Sequence, residues 1–148
     1  MKLSSFLIPG ILITMVMAGW SCSKSGGGSK PSVSIQSINN PIQPGEDLDV
    51  DLKFSNGSGL PGGTLVVIRT RVNEIPPINV VGGDTITARL PTYESTEKGE
   101  IEYTQPYQGY LHFDDHINDT LVFRFAVINA SGVSSDTISS PKIVAISN

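Results

Sequence analysis

The chain has 148 residues, with 10 Lys or Arg against 14 Asp or Glu and a formal charge of −4. That length suits one domain, and the acidic balance excludes the basic footprint of a nucleic-acid-binding protein. Hydrophobic residues at 39% supply a core but not a polytopic membrane protein, and a single cysteine excludes an intrachain disulfide or a Cys-based zinc cluster.

Residues 1–21 read as an export leader: Lys2, an apolar run from Phe6 to Ala18, then Gly19-Trp20-Ser21. The run is shorter than the roughly 20 residues of a spanning helix, and it holds Pro9 and Gly10. Cys22 follows at once, where a bacterial lipoprotein places the thiol that receives diacylglycerol. The stretch resembles a lipobox in its small Ser21, although Gly19 stands where an aliphatic residue is usual. The alternative is an ordinary leader cut near Ser21, which leaves a free thiol in an oxidising compartment. Lipidation implies a mature chain of 127 residues that has lost Lys2 and carries a charge of −5, attached through acyl chains rather than charge. The expected location is the cell envelope, lipid-anchored at the outer membrane on its periplasmic or surface face. Residues 22–30, lipidated Cys22 and the Gly/Ser-rich Ser23–Lys30, form a flexible tether with a span of about 16 Å.

The domain is expected over 31–148 and reads as strands. Asp47–Phe54 alternates, with Leu48, Val50, Leu52 and Phe54 on one face and Asp47, Asp49, Asp51 and Lys53 on the other. Thr120–Ile128 does the same with Leu121, Phe123, Phe125 and Val127. Further strands are predicted over Ser32–Ile38, Thr64–Val72, Thr85–Leu90, Glu100–Thr104, Gln108–Phe113 and Ser134–Ile146, with Pro141 marking the last as an edge or a switch between sheets. Turn clusters separate them at Pro44-Gly45, Ser55–Gly63, Pro76-Pro77, Gly82-Gly83 and Asn129–Gly132. Seven to eight short strands with such punctuation predict an all-β, antiparallel sandwich.

Three stretches carry a family resemblance: Pro44-Gly45-Glu46-Asp47-Leu48 entering a strand, Leu52-Lys53-Phe54 followed by Ser55–Leu60, and Asp119–Thr137. With the leader and tether, the chain resembles the single-domain immunoglobulin-like lipoproteins of the Bacteroidota, many of unassigned function. The resemblance implies an immunoglobulin-like sandwich and names no ligand. Such proteins often carry acids in the turns where this chain has Asn56, Ser58 and Asn129, which removes the charges that a cation site there would use.

Several side-chain groups could carry chemistry. Asp47, Asp49 and Asp51 stand about 6.6 Å apart along one strand face, too dispersed to wrap a calcium ion, and read as a solvated face; Arg69 and Arg71 are expected to face solvent in the same way. His112 and His116, with Asp114 in the turn between them, could converge on a zinc or other transition-metal ion. Tyr103, Tyr107 and Tyr110 form the densest aromatic segment and could stack on sugar rings or line an interface; alternatively one closes the core while the others cover the end of the sandwich. Thr85, Thr120 and Thr137 sit in Asp-Thr-aliphatic triplets that resemble the O-glycosylation pattern of exported Bacteroidota proteins. The same triplets are also how a turn hands over to a strand.

No nucleophile elbow, zinc-protease helix, phosphate loop or dinucleotide fingerprint occurs in the sequence. The expectation is therefore a non-enzymatic, cofactor-free interaction or accessory module. Its expected partners are the membrane, through the lipid, and an envelope protein or a glycan. The alternatives are a glycan-binding module at Tyr103, Tyr107 and Tyr110, or a metal-binding protein or hydrolase at His112 and His116.

Overall fold

The structure is a computed structural model that describes residues 30–55, 60–73, 84–92, 98–113 and 116–147. The expected leader, Cys22 and most of the tether lie outside those residues, as do Asn56, Ser58, Pro76-Pro77, Gly82-Gly83, Tyr93 and Asp114.

Eight strands follow in chain order: β1 Ser32–Ile38, β2 Leu48–Ser55, β3 Thr64–Arg71, β4 Asp84–Arg89, β5 Lys98–Gln105, β6 Asp119–Ile128, β7 Ile138–Ser139 and β8 Ile143–Ala145. One sheet has the order β1-β2-β5; the other runs β4-β3-β6, with β7 and β8 both on the far side of β6. Every pairing between these strands is antiparallel, and the result is an immunoglobulin-like β-sandwich.

The inner faces follow from alternation. In β2, Leu48, Val50, Leu52 and Phe54 are buried, and in β6 Leu121, Phe123, Phe125 and Val127 are completely so. Leu65 and Val67 of β3, Ile143 and Ala145 of β8, and Ile42, Leu60 and Leu111 from the connections fill the same core. The Pro44-Gly45 turn works as its residues require: Gly45 has a φ of 79°, and Glu46 N–H donates to the Gln43 carbonyl at 2.9 Å.

Two expected strands are corrected. Ser134–Ile146 is two short strands separated by Pro141, which has no N–H to donate; both lie on the same edge, so Pro141 marks no change of sheet. Serine hydroxyls extend that edge: Phe123 N–H donates to Ser140 Oγ and Val127 N–H to Ser135 Oγ, each at 3.0 Å. Gln108–Phe113 is a turn, closed by Leu111 N–H on the Tyr107 carbonyl at 3.1 Å, with Gly109 at a φ of 77°. Burying Leu111 between the sheets bends a segment whose apolar content alone reads as a strand.

The registers fix the two ends of the sandwich. Ser32 lies opposite Ser55 and Ser55 opposite Lys98, so the chain enters β1 at that end, where Lys30 Nζ lies 2.6 Å from Asp136 Oδ1. The opposite, distal end gathers the β1–β2 turn, the end of β3, the start of β6 and the C-terminal segment. There Ile42 N–H donates to the Val144 carbonyl and Ile146 N–H to the Ile42 carbonyl, both at 2.9 Å.

Candidate functional site

The distal end is built by β3. Because Leu65 and Val67 point into the core, strict alternation sends Arg69 and Arg71 the same way. This overturns their expected exposure: Arg69 is 6% exposed and the Arg71 side chain 10%. A buried guanidinium needs partners, and each has a carboxylate. Arg69 pairs with Asp84 at the start of β4 and donates to the Tyr110 carbonyl. Arg71 Nε lies 2.5 Å from Oδ1 of Asp119, whose side chain has no solvent exposure, although its N–H is not aimed along that vector.

Asp119 collects more than one partner. Its Oδ2 accepts the Phe113 N–H at 2.7 Å and lies 3.6 Å from His112 Nδ1, while its Oδ1 accepts from Asn73 Nδ2 at 3.0 Å. Asn73 returns a bond, its Oδ1 accepting the Thr120 N–H at 2.7 Å. One carboxylate therefore ties the end of β3, the start of β6 and the 106–113 segment together.

Over this charged layer lie two aromatic rings. The Arg69 guanidinium is 5.8 Å from the Tyr110 ring centre and 5.0 Å from that of Phe113, and Arg71 is 5.4 Å from the latter. Cation–π attraction holds both rings in place while leaving Tyr110 46% and Phe113 38% exposed.

On the outer side of the same end, a cleft of about 610 Å³ opens against the second sheet. Val72, Thr120 and Val144 lie on its floor, with Ile117, Asn118 and Lys142 among its walls. Asn118 Oδ1 accepts from Ser147 N–H at 2.9 Å, which closes one side with the C-terminal segment. The lining offers apolar contact and amide groups, a chemistry suited to holding a ligand by shape and hydrogen bonding.

The structure separates the three tyrosines. Tyr103, 8% exposed, meets Phe125 edge-on at 5.8 Å and donates to Gln105 Oε1. Burial raises its pKa to about 12, against a smaller opposite effect from Arg69. Tyr107, 1% exposed, stacks on His112 at 5.3 Å and donates to the Ile146 carbonyl. Only Tyr110 offers a ring to solvent, so the three form no common platform.

The two histidines also part. His112 lies inward against Tyr107 and Asp119, while His116 is exposed beside the cleft. Among the described residues no group of three or more His, Cys, Asp or Glu side chains converges, and Asp114 lies outside them. Of the threonines, Thr85 and Thr137 are exposed and Thr120 is half-buried at the cleft. Asp84-Thr85 opens β4, Asp119-Thr120 opens β6, and Asp136-Thr137 directly precedes β7, so all three triplets mark the approach to a strand.

Sequence reading missed the Arg69–Asp84 and Arg71–Asp119 pairs and the role of Asn73. Parity in β3 links Leu65, Val67, Arg69 and Arg71, but Val66 and Ile68 give the opposite face an equal aliphatic pair, so the strand's own sequence does not say which face goes inside.

No family model matches the chain, and no curated protein matches it. Among solved structures it is similar to a β-glucosidase from Listeria innocua in complex with gluconolactone, at 13% identity and a TM-score of 0.42. That likeness covers 80% of this chain and 16% of the other, and at this level it carries no argument.

Proposed function

We propose that the protein is a non-catalytic interaction module, held at the cell envelope by a lipid on Cys22 and binding through the end of the sandwich opposite its tether. The observation that carries this reading is the position of the cleft: Lys30 lies at one end of the strands and the cleft at the other. An eight-residue strand separates the two by about 26 Å. A domain attached at the first end turns the second toward its surroundings.

The site's chemistry supports binding. Arg69 and Arg71 are engaged by Asp84 and Asp119, and the Tyr110–Phe113 pair is held rigid above them. Rigid aromatic groups on a fixed base suit recognition, because little side-chain freedom is lost on contact. The glycan reading retains only Tyr110 of its three tyrosines as an exposed ring, and the metal reading has its two histidines in different surroundings. Neither is adopted.

Two measurements test the proposal. In cells fed an alkyne fatty acid, the full chain is expected to take up label and Cys22→Ser to lose it. Co-purification from the native envelope is expected to recover a partner that survives Ser131→Asp at the tether end and is lost with Val144→Asp on the cleft floor. Recovery of monomer alone, or an unlabelled wild-type chain, overturns the reading.

A further inference from the structure

The two outer faces of this sandwich are chemically unlike. On the β1-β2-β5 sheet, Asp51 lies opposite Glu102 and Lys53 opposite Glu100, with Asp49 beside them. That is an ordinary solvated face. The other sheet departs from the pattern. Its outward positions include Val66 and Ile68 of β3, Val122, Ala126 and Ile128 of β6, and Val144 of β8, each partly exposed. None of the six belongs to the core or to the apolar side chains packed against it.

Near the middle of this face stands an exposed cation, Arg124, with a second, Arg89, at the outer β4 edge. Arg124 lies directly opposite Ile68 on β3 and Ser139 on β7. Its diagonal neighbours on β3 are Val66 and Thr70. No ladder position on the described part of this face carries an acid: Thr85, Thr87 and Arg89 are the outward residues of β4, and Thr120 leads β6. Asp84 and Asp119 point inward, to Arg69 and Arg71. Arg124 thus lacks a carboxylate partner among the described residues, as does Arg89 at the β4 edge, while the two inward arginines of the same sheet, Arg69 and Arg71, have one each.

We infer that the outer face of the β4-β3-β6-β7/β8 sheet docks a second protein through an apolar surface that carries a carboxylate opposite Arg124. The inference rests on the interaction-module reading and extends its site from the cleft, whose floor residues Val72, Thr120 and Val144 are the distal end of this face. Charge decides the occupant. A two-fold pairing of two copies sets like-charged arginine faces against each other, and head-to-tail stacking, although it offers Arg124 an acid, buries the carboxylates of Asp49, Asp51, Glu100 and Glu102 against Val and Ile side chains. Neither is complementary. With β6 ten residues long, β3 eight, β4 six and β7 and β8 shorter still, the face spans roughly 460 Å², a little over half of one side of a specific interface at about 800 Å², and the cleft residues at its distal end extend it. Arginine bordered by Val66, Ile68, Val122 and Ala126 matches the composition of an interface centre, where excluded water strengthens the pair it makes.

The test uses the full chain in its native envelope, with photoreactive benzoylphenylalanine introduced separately at Ala126, on the face, and at Ile117, on the cleft wall. The expected result is a protein adduct from both positions, with the Ala126 adduct mapping beside an Asp or Glu of the partner. Arg124→Glu should lower the Ala126 adduct at least about tenfold, and Arg124→Lys should lower it much less. Circular dichroism of each purified variant confirms that the sheet is kept. An Ile117 adduct without an Ala126 adduct overturns the face and leaves the distal-end reading standing; no adduct at either position overturns both. Adducts only with lipid, adducts only with another copy of the chain, or indifference to Arg124→Glu overturn the inference.

Discussion

Arg71 and Asp119 form an ion pair at the mouth of the core: Nε lies 2.5 Å from Oδ1, and the carboxylate is wholly shielded from solvent. The pair joins strands that are already neighbours in one sheet, Arg71 lying opposite Leu121. Its consequence is local order at the distal end, because the same carboxylate fixes the Phe113 amide and the Asn73 side chain.

Removing one partner should therefore be costly. Asp119→Ala leaves a guanidinium buried without its carboxylate and is expected to destabilise by about 3–5 kcal/mol. Urea denaturation of Asp119→Ala, Arg71→Met and the double variant checks this, with a double-variant loss well below the sum of the singles. Additive losses would mean that the two side chains act independently.

Tyr103 predicts an alkaline limb. Its folded pKa is raised from 10.0 to about 12 by burial, so folding favours the neutral phenol. The contribution is complete below pH 10 and is lost as pH climbs through 12, with a slope approaching about 1.4 kcal/mol per pH unit between them. Tyr103→Phe should lack that part of the slope, measured as the difference between the two proteins' unfolding free energies from pH 9 to 12.

Ser135 and Ser140 replace ladder partners that the short β7 cannot supply. Each alanine substitution leaves one buried amide of β6 without its hydroxyl acceptor and should cost about 1–3 kcal/mol. Hydrogen exchange should report it locally, with faster exchange at Val127 in Ser135→Ala and at Phe123 in Ser140→Ala.

Gly63 is required by space. A methyl group there would run into the Ile128 carbonyl oxygen and sit 2.9 Å from the Leu60 carbonyl oxygen, both backbone atoms. Gly63→Ala should cost about 1–3 kcal/mol through displaced backbone. Gly45→Ala meets nothing within 4 Å and carries only the strain of its φ of 79°. Thermal melts should rank Gly63→Ala as the more damaging.

Where both faces of a strand agree with their surroundings, its role could be read directly. β2 alternates aliphatic and charged residues, and β6 places two phenylalanines on one parity, so each had a single placement that buried its apolar side. The 106–113 segment gave no such constraint. Its tyrosines suit a binding surface and a core equally, and Gly109 permits the turn that decides between them by carrying Leu111 inward. In the candidate site, individual residues such as His116 and Thr120 were named, but the cleft they line was not, because it is assembled from the residues after β3, the start of β6, β8 and the C-terminal segment, from Val72 to Ser147.

From its own order of residues the chain determines a two-layer β-sandwich, since alternating burial and frequent turns leave no other way to cover the apolar positions. Tertiary structure alone decided that Arg69 and Arg71 go inside and that Ile68 and Arg124 share an outer face. A strand's parity settles which side chains travel together, and only the packed core settles which of its two sides meets water.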